Sequence, residues 1–348
     1  MATMKGLAYL GNGEIRVVKR AKPTILATTD AIVKMLKATI SGTDLHIMQD
    51  RVPTFTEGRI LGHEGVGIVE SVGSSVTAFV PGDVVLIAST TSCGTCSFCR
   101  RGILSHCSSG GWVLGHTDDG TQAEYVRVQQ ANTSLYHAPK GVDLDVLVLA
   151  SDILETGLEC GAMDGRVQPG ASVAVVGAGP VGLSALMASQ LFSPSVVISI
   201  DLDENRLAAA SAFGATHTVR SGSGTVKQVM EITNGLGVDT VIEAVGSSAT
   251  FELCQQLVAV GGTIANIGVH GTKADLHLEN LWNRNIMITT RLVDSVTTPT
   301  VLKLLKSGRL NPKGLITHHF RFEDILRAYS TFSAAVQNKA LKVIIDFD

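Results

Sequence analysis

Aromatic residues are scarce in this chain: Trp, Tyr and Phe together make up 5% of its 348 residues. No apolar run reaches the ~20 residues that a bilayer-spanning helix needs, so a membrane span is excluded. Residues 1–6 lack the charged-then-apolar pattern of a secretory signal. Charge of one sign is not in excess either. The net charge of -3 favours neither nucleic acid nor an acidic membrane surface as a partner. Charged residues amount to 17% against 45% hydrophobic, which excludes a disordered chain. No internal repeat and no low-complexity tract is found. These absences leave a cytoplasmic globular protein as the expectation.

The length exceeds one ordinary core, so two domains are expected. Glycine is abundant, at 36 residues, which suits an α/β chain with tight turns and close backbone approaches. Two styles of sequence follow each other. Up to about residue 150, short β-rich runs (32–33, 66–69, 84–87 and 125–128) are broken by Gly and Pro, with Pro81-Gly82-Asp83 as a turn before a strand. Few amphipathic helices are legible there, so the first part reads as an irregular, barrel-like β domain. From residue 171 the pattern alternates. Residues 171–176 form a continuous apolar run, as in a strand buried on both faces of a parallel sheet. A helix over 181–191, a strand over 196–200, a helix over 204–213 ending at Gly214, and strands over 238–242 and 263–267 follow. This alternation predicts a doubly wound sheet. The final stretch predicts helices at 300–305 and 323–329 and a strand at 341–345.

Gly177-Ala178-Gly179-Pro180-Val181-Gly182 follows the first apolar strand and opens a helix. A lone G-x-G-x-x-G is common in turns, but here both flanks fit a dinucleotide fingerprint. Gly177 allows the tight turn, Gly179 lets the backbone approach a pyrophosphate, and Gly182 lets the helix pack on the strand. The helix N-terminus then offers N–H groups to phosphate. Asp201 ends the second strand, 19 residues after Gly182. Its carboxylate can accept from ribose hydroxyls and repels a 2′-phosphate, which points to NAD over NADP. Its bland alternative is a turn or cap acid; Asp203 fits a helix N-cap better.

Cys93, Cys96, Cys99 and Cys107 have the spacing C-x2-C-x2-C-x7-C. Four thiolates close a tetrahedral zinc site with no open position, a structural arrangement. Free buried thiols are the alternative, and the simplest reading for Cys160 and Cys254.

Gly62-His63-Glu64-Gly65-Val66-Gly67, the four-cysteine segment, Pro81-Gly82-Asp83-Val84 and the glycine motif occur in the order found in zinc-dependent medium-chain alcohol dehydrogenases. The chain resembles that family over essentially its whole length, and residues 161–182 and 341–345 look like its bacterial secondary-alcohol members. The resemblance implies a GroES-like β-rich catalytic domain from residues 1–153 and 294–348, a Rossmann domain from 154–293, and an active site in the cleft between them. It also implies a homo-oligomer, expected to be a tetramer.

In that family a catalytic zinc is held by a cysteine, the histidine of Gly-His-Glu, and a later cysteine or aspartate. His63 matches the histidine and Asp152 the later ligand; Glu64 matches a carboxylate that ligates in some members. Ser41 stands where the family usually has cysteine. A serine hydroxyl is far less acidic than a thiol and is a poor zinc ligand as a neutral oxygen. Two readings stay open: zinc bound through His63, Asp152 and Glu64 with Ser41 or water filling in, or a site that is empty or weakly occupied. Thr43 matches the family's hydroxyl relay and His46 a relay histidine nearer solvent; their bland readings are a turn hydroxyl and a half-exposed surface residue. Trp112 and Leu114 are candidates for the substrate pocket or simply core, and His116, His270, His318 and His319 show no ligand spacing.

The activity implied is reversible, NAD-dependent oxidation of a small or medium alcohol, secondary rather than primary, by zinc-assisted hydride transfer. A zinc-independent NAD(P)H reductase of the same superfamily and a non-catalytic NAD(H)-binding protein with a lapsed metal site are the alternatives.

Overall fold

The structure, a computed structural model, describes residues 2–347. It forms two compact units: residues up to Asp152 together with those from Asp294 onward, and Ile153–Val293.

The first unit begins with β1 (Thr3–Tyr9) and β2 (Ile15–Ala21), an antiparallel hairpin. Its turn passes through Gly11, Asn12 and Gly13, all at positive φ, where Gly and Asn are least strained. Then come β3 (Ala31–Thr39), β4 (Gly65–Val72), β5 (Val84–Ile87), β6 (Tyr125–Val128) and β7 (Leu135–His137). The short runs read from sequence at 32–33 and 66–69 are the apolar centres of β3 and β4. Their charged or glycine-rich flanks hid the full strands.

The second unit is built on β8 (Ser172–Val176), β9 (Val196–Asp201), β10 (His217–Arg220), β11 (Val238–Glu243), β12 (Val258–Asn266) and β13 (Met287–Thr290). They form one parallel sheet in the order β10-β9-β8-β11-β12-β13. β8 is central, paired on both sides, and its apolar residues are buried. That is the burial pattern of a strand covered on both faces. The strand order reverses beside β8, the switch point at which doubly wound sheets bind ligands. Helices Pro180–Gln190 and Glu204–Ala212 agree with the sequence reading to within a residue.

The chain then returns to the first unit with helices Thr298–Lys306 and Ile325–Ser333 and strands β14 (Ile316–Arg321) and β15 (Lys342–Asp346). β15 pairs antiparallel with β3, so the last strand completes the seven-stranded sheet β14-β15-β3-β4-β5-β7, with β6 also on β3. This fold is a GroES-like unit plus a Rossmann-type unit.

The segment that precedes β4 is held by close backbone contact. Gly115 and Gly120 lie against the Gly62 backbone: a Cβ at Gly120 would collide with the Gly62 carbonyl oxygen, and one at Gly115 would meet Gly62 N at 2.7 Å. The Thr121 amide donates to Gly62 O at 2.9 Å and its hydroxyl to Glu64 O at 2.8 Å. His63 and Glu64 are thus fixed by a glycine-lined seam. Gly120→Ala should force the seam open and destabilise this unit by about 1–3 kcal/mol. The check is the denaturant midpoint, which should fall, whereas Gly82→Ala meets no atom within 4 Å and should show only its smaller backbone strain.

Candidate metal centre and cofactor site

Ser41 sits at the end of β3 and starts helix Gly42–Met48, which the sequence reading did not identify. Its side chain accepts from the Thr43 amide at 3.3 Å, and its own amide donates to Asp44 Oδ2 at 2.9 Å. This capping box makes Ser41 a good helix start, worth about 1 kcal/mol over an uncapped residue. Asp44 is fully buried and also accepts from Gln122 Nε2 at 3.1 Å. Burial raises its carboxyl above the ordinary value, while the charge on His63 opposes the rise.

His63 and Asp152 are brought together, with Nε2 and Oδ2 3.6 Å apart. Burial works against a charged imidazole, but the neighbouring Asp152 carboxylate outweighs it, aided by the charges of Asp44 and Glu64. His63 is raised to about 9. Burial likewise opposes the Asp152 charge, yet His63 and the more distant Lys342 hold its carboxyl below the ordinary value.

Glu64 is turned elsewhere. Its Oε2 accepts from Lys342 Nζ and the Thr39 hydroxyl. Lys342, at the start of β15, is 1% exposed, as is Glu64. A buried ammonium next to the ligand set carried no signal in the sequence: in β15 it reads as one more charged residue at a strand edge.

His63 Nδ1 and Glu64 Oε1 are buried and accept or donate no hydrogen bond. Buried polar atoms are nearly always paired, so these atoms mark a place prepared for another group. One nitrogen and two carboxylates fit zinc chemically. Among the described residues, however, His63, Asp152 and Glu64 do not bring all three ligand atoms within 4.8 Å of one another. Lys342 holds Glu64 back, and Ser41 is committed as a cap. Thr43 and His46, three residues apart on one helix, share a face and are half-buried. Burial, and then the charge of Arg51, lower the His46 imidazole below its ordinary value, so at neutral pH it can accept a proton.

The four cysteines converge as the spacing predicts, with their sulfurs within 4.8 Å of one another. The Cys93 amide donates to Cys107 Sγ at 3.2 Å, the Cys96 amide to Cys93 Sγ at 3.4 Å and the Cys99 amide to Cys96 Sγ at 3.4 Å. Such donors orient thiolates for a metal. The Thr95 hydroxyl, with the Thr95 and Cys96 amides, lowers Cys93 to about 5. Asp294 anchors the segment, accepting from the Ser105 amide at 2.8 Å and hydroxyl at 2.6 Å. A second cluster, Asp145, His319 and Asp346, also gathers ligand atoms. There Lys37 Nζ lies 2.8 Å from Asp145 Oδ1 and bonds Asp346, so the cation is already supplied by the protein.

In the Rossmann unit Gly177 takes φ +100, and a Cβ there would meet Val245 Cγ2 at 2.5 Å. A Cβ at Gly182 would collide with the Gly177 carbonyl oxygen, whereas at Gly179 the nearest atom is Arg206 Nη1, at 3.9 Å. The loop is therefore closed against the protein at Gly177 and Gly182 and open at Gly179. Helix Pro180–Gln190 starts at Gly179 with Pro180 and Val181 in its first turn and no side-chain cap. Its first N–H groups are available to a phosphate. Asp201 Oδ2 accepts from the Ala178 amide at 2.6 Å, and Oδ1 from the Asp203 amide at 2.9 Å. Asp203 caps the next helix through the Asn205 and Arg206 amides. Arg206, which the sequence reading passed over, places a cation beside both Gly179 and Asp201; its Nη1 is 3.9 Å from Asp201 Oδ2.

A glycine-lined dinucleotide loop on a Rossmann unit, together with a His–Asp pair and a four-cysteine lobe on a GroES-like unit, defines the class of a zinc-type oxidoreductase. Residues 27–140 match the alcohol dehydrogenase GroES-like domain family and residues 180–307 the zinc-binding dehydrogenase family. An alcohol dehydrogenase of Cupriavidus necator is 32% identical over 99% of both chains. The NADP-dependent isopropanol dehydrogenase of Thermoanaerobacter brockii is 32% identical over 94% of this chain and 95% of its own. Among solved structures, zinc dependent alcohol dehydrogenase 2 from Streptococcus pneumonia, in its apo form, is 48% identical with a TM-score of 0.96, covering 99% of both chains. The chain belongs to the zinc-type medium-chain alcohol dehydrogenase family and is an oxidoreductase.

With the His63 imidazole pushed up to about 9, any zinc that it ligates must first displace a proton. Affinity should rise about tenfold per pH unit over the range below that value and level off above it. Competition with a chelator from pH 6 to 10 measures this, and a flat profile would show that His63 is not a ligand.

Proposed function

We propose that the protein catalyses the reversible, NAD-dependent oxidation of small to medium secondary alcohols to ketones, with His63 and Asp152 as the principal ligands of a weakly held catalytic zinc. The observation that carries this reading is the His63–Asp152 pair, 3.6 Å apart beside the unpartnered Glu64 Oε1 and His63 Nδ1. Glu64 completes the ligand set when released from Lys342, and Ser41 contributes at most a neutral oxygen. The cysteine lobe holds a second, structural zinc. A zinc ion at His63 and Asp152 supplies Lewis acidity that lowers the pKa of an alcohol, and a bound nicotinamide supplies the hydride acceptor.

The protein's own groups orient and move protons. Asp152 fixes the His63 ring. As Thr43 takes the substrate hydroxyl proton it gives up its own toward His46, which, with its lowered proton affinity, releases a proton outward. Trp112 lies edge-on to His63, with centroids 6.3 Å apart and planes at 78°, and walls the substrate side. Gly177, Gly179, Pro180, Val181 and Gly182 hold the pyrophosphate, and Asp201 the adenosine ribose.

The capping role of Ser41 and the capture of Glu64 by Lys342 favour a second reading, in which the centre binds zinc too weakly to retain it. Zinc per chain separates the two. Ser41→Cys should raise zinc content from about one to about two per chain and strengthen alcohol oxidation, despite a poorer helix cap. Two zincs in the parent would mean that His63, Asp152 and Glu64 suffice. Oxidation indifferent to chelator, to added zinc and to Ser41→Cys would sink the zinc-assisted reading.

NAD preference rests on the carboxylate of Asp201. Asp201→Ser removes the charge that opposes a 2′-phosphate and frees Arg206 to meet it. The ratio of kcat/KM for NADP over NAD should rise at least about tenfold, or ~1.4 kcal/mol. A ratio that does not move would remove Asp201 from cofactor selection.

Val260, Leu278 and Trp282 are exposed beside the edge strand β13, Trp282 to 77%. Exposed apolar side chains and an edge strand support a homo-oligomer, a tetramer in this reading. No helix among the described residues is long and apolar enough to cross a membrane, and six cysteines that form no disulfide fit a reducing, cytoplasmic setting.

A further inference from the structure

His116 has no ligand spacing in the sequence, yet the structure ties it tightly to Trp112. The two rings stack with centroids 4.2 Å apart and planes at 14°. Both ring nitrogens are engaged: Nδ1 is 2.9 Å from Trp112 O and Nε2 is 2.8 Å from Thr54 Oγ1. A carbonyl only accepts, so Nδ1 carries the proton, and Nε2 accepts from the threonine hydroxyl. The Thr56 amide adds a third tie, donating to His116 O at 3.2 Å. An imidazole held at both nitrogens cannot rotate, and the indole lying flat on it loses the same freedom. The indole also lies edge-on to the ring of His63. A continuous line of contacts therefore runs from the loop at Thr54 through His116 and Trp112 to the metal centre. The turn that carries it is anchored at Gly115 on the backbone of Gly62.

We propose that His116, latched by Thr54, is a specificity-determining positioning residue: by stacking on Trp112 it fixes the indole as the wall that limits the size of the group carried by the substrate next to His63. This rests on the dehydrogenase reading above. Trp112 touches the substrate; His116 acts through it.

The test uses the full chain with Trp282→Phe, which leaves Trp112 as the sole tryptophan. His116→Ala should shift Trp112 emission to the red and lower its anisotropy. It should also cut the preference for propan-2-ol over 1-phenylethanol, as a ratio of kcat/KM, by about tenfold, mainly through KM. His116→Phe, which keeps a stacked ring without the Thr54 latch, should recover most of both effects. Thr54→Val should show a smaller version of the His116→Ala change. Unchanged emission and an unchanged ratio would overturn the proposal. So would an equal loss on both alcohols without a spectral change, which is the mark of a merely structural role. If neither this protein nor its Ser41→Cys form turned over any alcohol, the dehydrogenase reading would fall and take this one with it. Turnover with an unaltered ratio overturns this one alone.

Discussion

Glu64 and Lys342 are both buried to within 1% of full exclusion, and neither charge could be buried without the other. A lone buried ion is costly, and removing one partner of such a pair typically costs about 3–5 kcal/mol. The two residues lie 278 positions apart. Their pairing fixes the end of the chain to the loop that carries His63. β15 can deliver Lys342 to that loop only by lying antiparallel on β3, where Ile344 pairs with Thr39. Thr39 in turn binds both partners of the ion pair. The last strand of the sheet and the segment that carries His63 and Glu64 are thus tied together at one buried point.

The same pair decides what the metal centre can offer. A carboxylate held by an ammonium and a hydroxyl through one oxygen keeps its other oxygen free but not its direction. His63 and Asp152 stand side by side, while Glu64 is held by Lys342. Ser41 is also not an idle substitute, because its hydroxyl and amide close a capping box with Asp44. Beside the cysteine usual in the family, a serine is a poorer zinc ligand and a better helix start. The helix it starts, Gly42–Met48, carries Thr43 and His46.

Much of the Rossmann unit was legible because its signals are local. β8 and β9 are apolar runs, and the glycine loop has one conformation that fits both flanks. β10 and β13 escaped notice. β10 presents mostly exposed side chains, and β13 is four half-exposed residues on an edge, so neither shows the burial that makes a strand readable. The GroES-like unit was legible only at its centres. β3 is interrupted by Lys34 and Lys37, and β14 alternates half-buried and exposed residues without an apolar face. The convergence of the four cysteines could be read outright because they lie within one short segment. The His63–Asp152 pairing could be expected only through resemblance, since the two meet through folding rather than spacing. Lys342, Arg206 and His116 act through neighbours distant in sequence, and no spacing announces them.

Asp201 ties two segments of the Rossmann unit together. Its two oxygens accept from Ala178 and Asp203, which pins the glycine loop to the end of β9 and sets the start of the next helix. A carboxylate has about four acceptor sites, so two bonds leave capacity for a ribose hydroxyl. Its charge also draws Arg206 to within 3.9 Å, which keeps that guanidinium from presenting itself fully to an anion at the same place. A phosphate at this place would have to compete with the carboxylate for the same arginine, and the Ala178 and Asp203 amides keep the carboxylate in position.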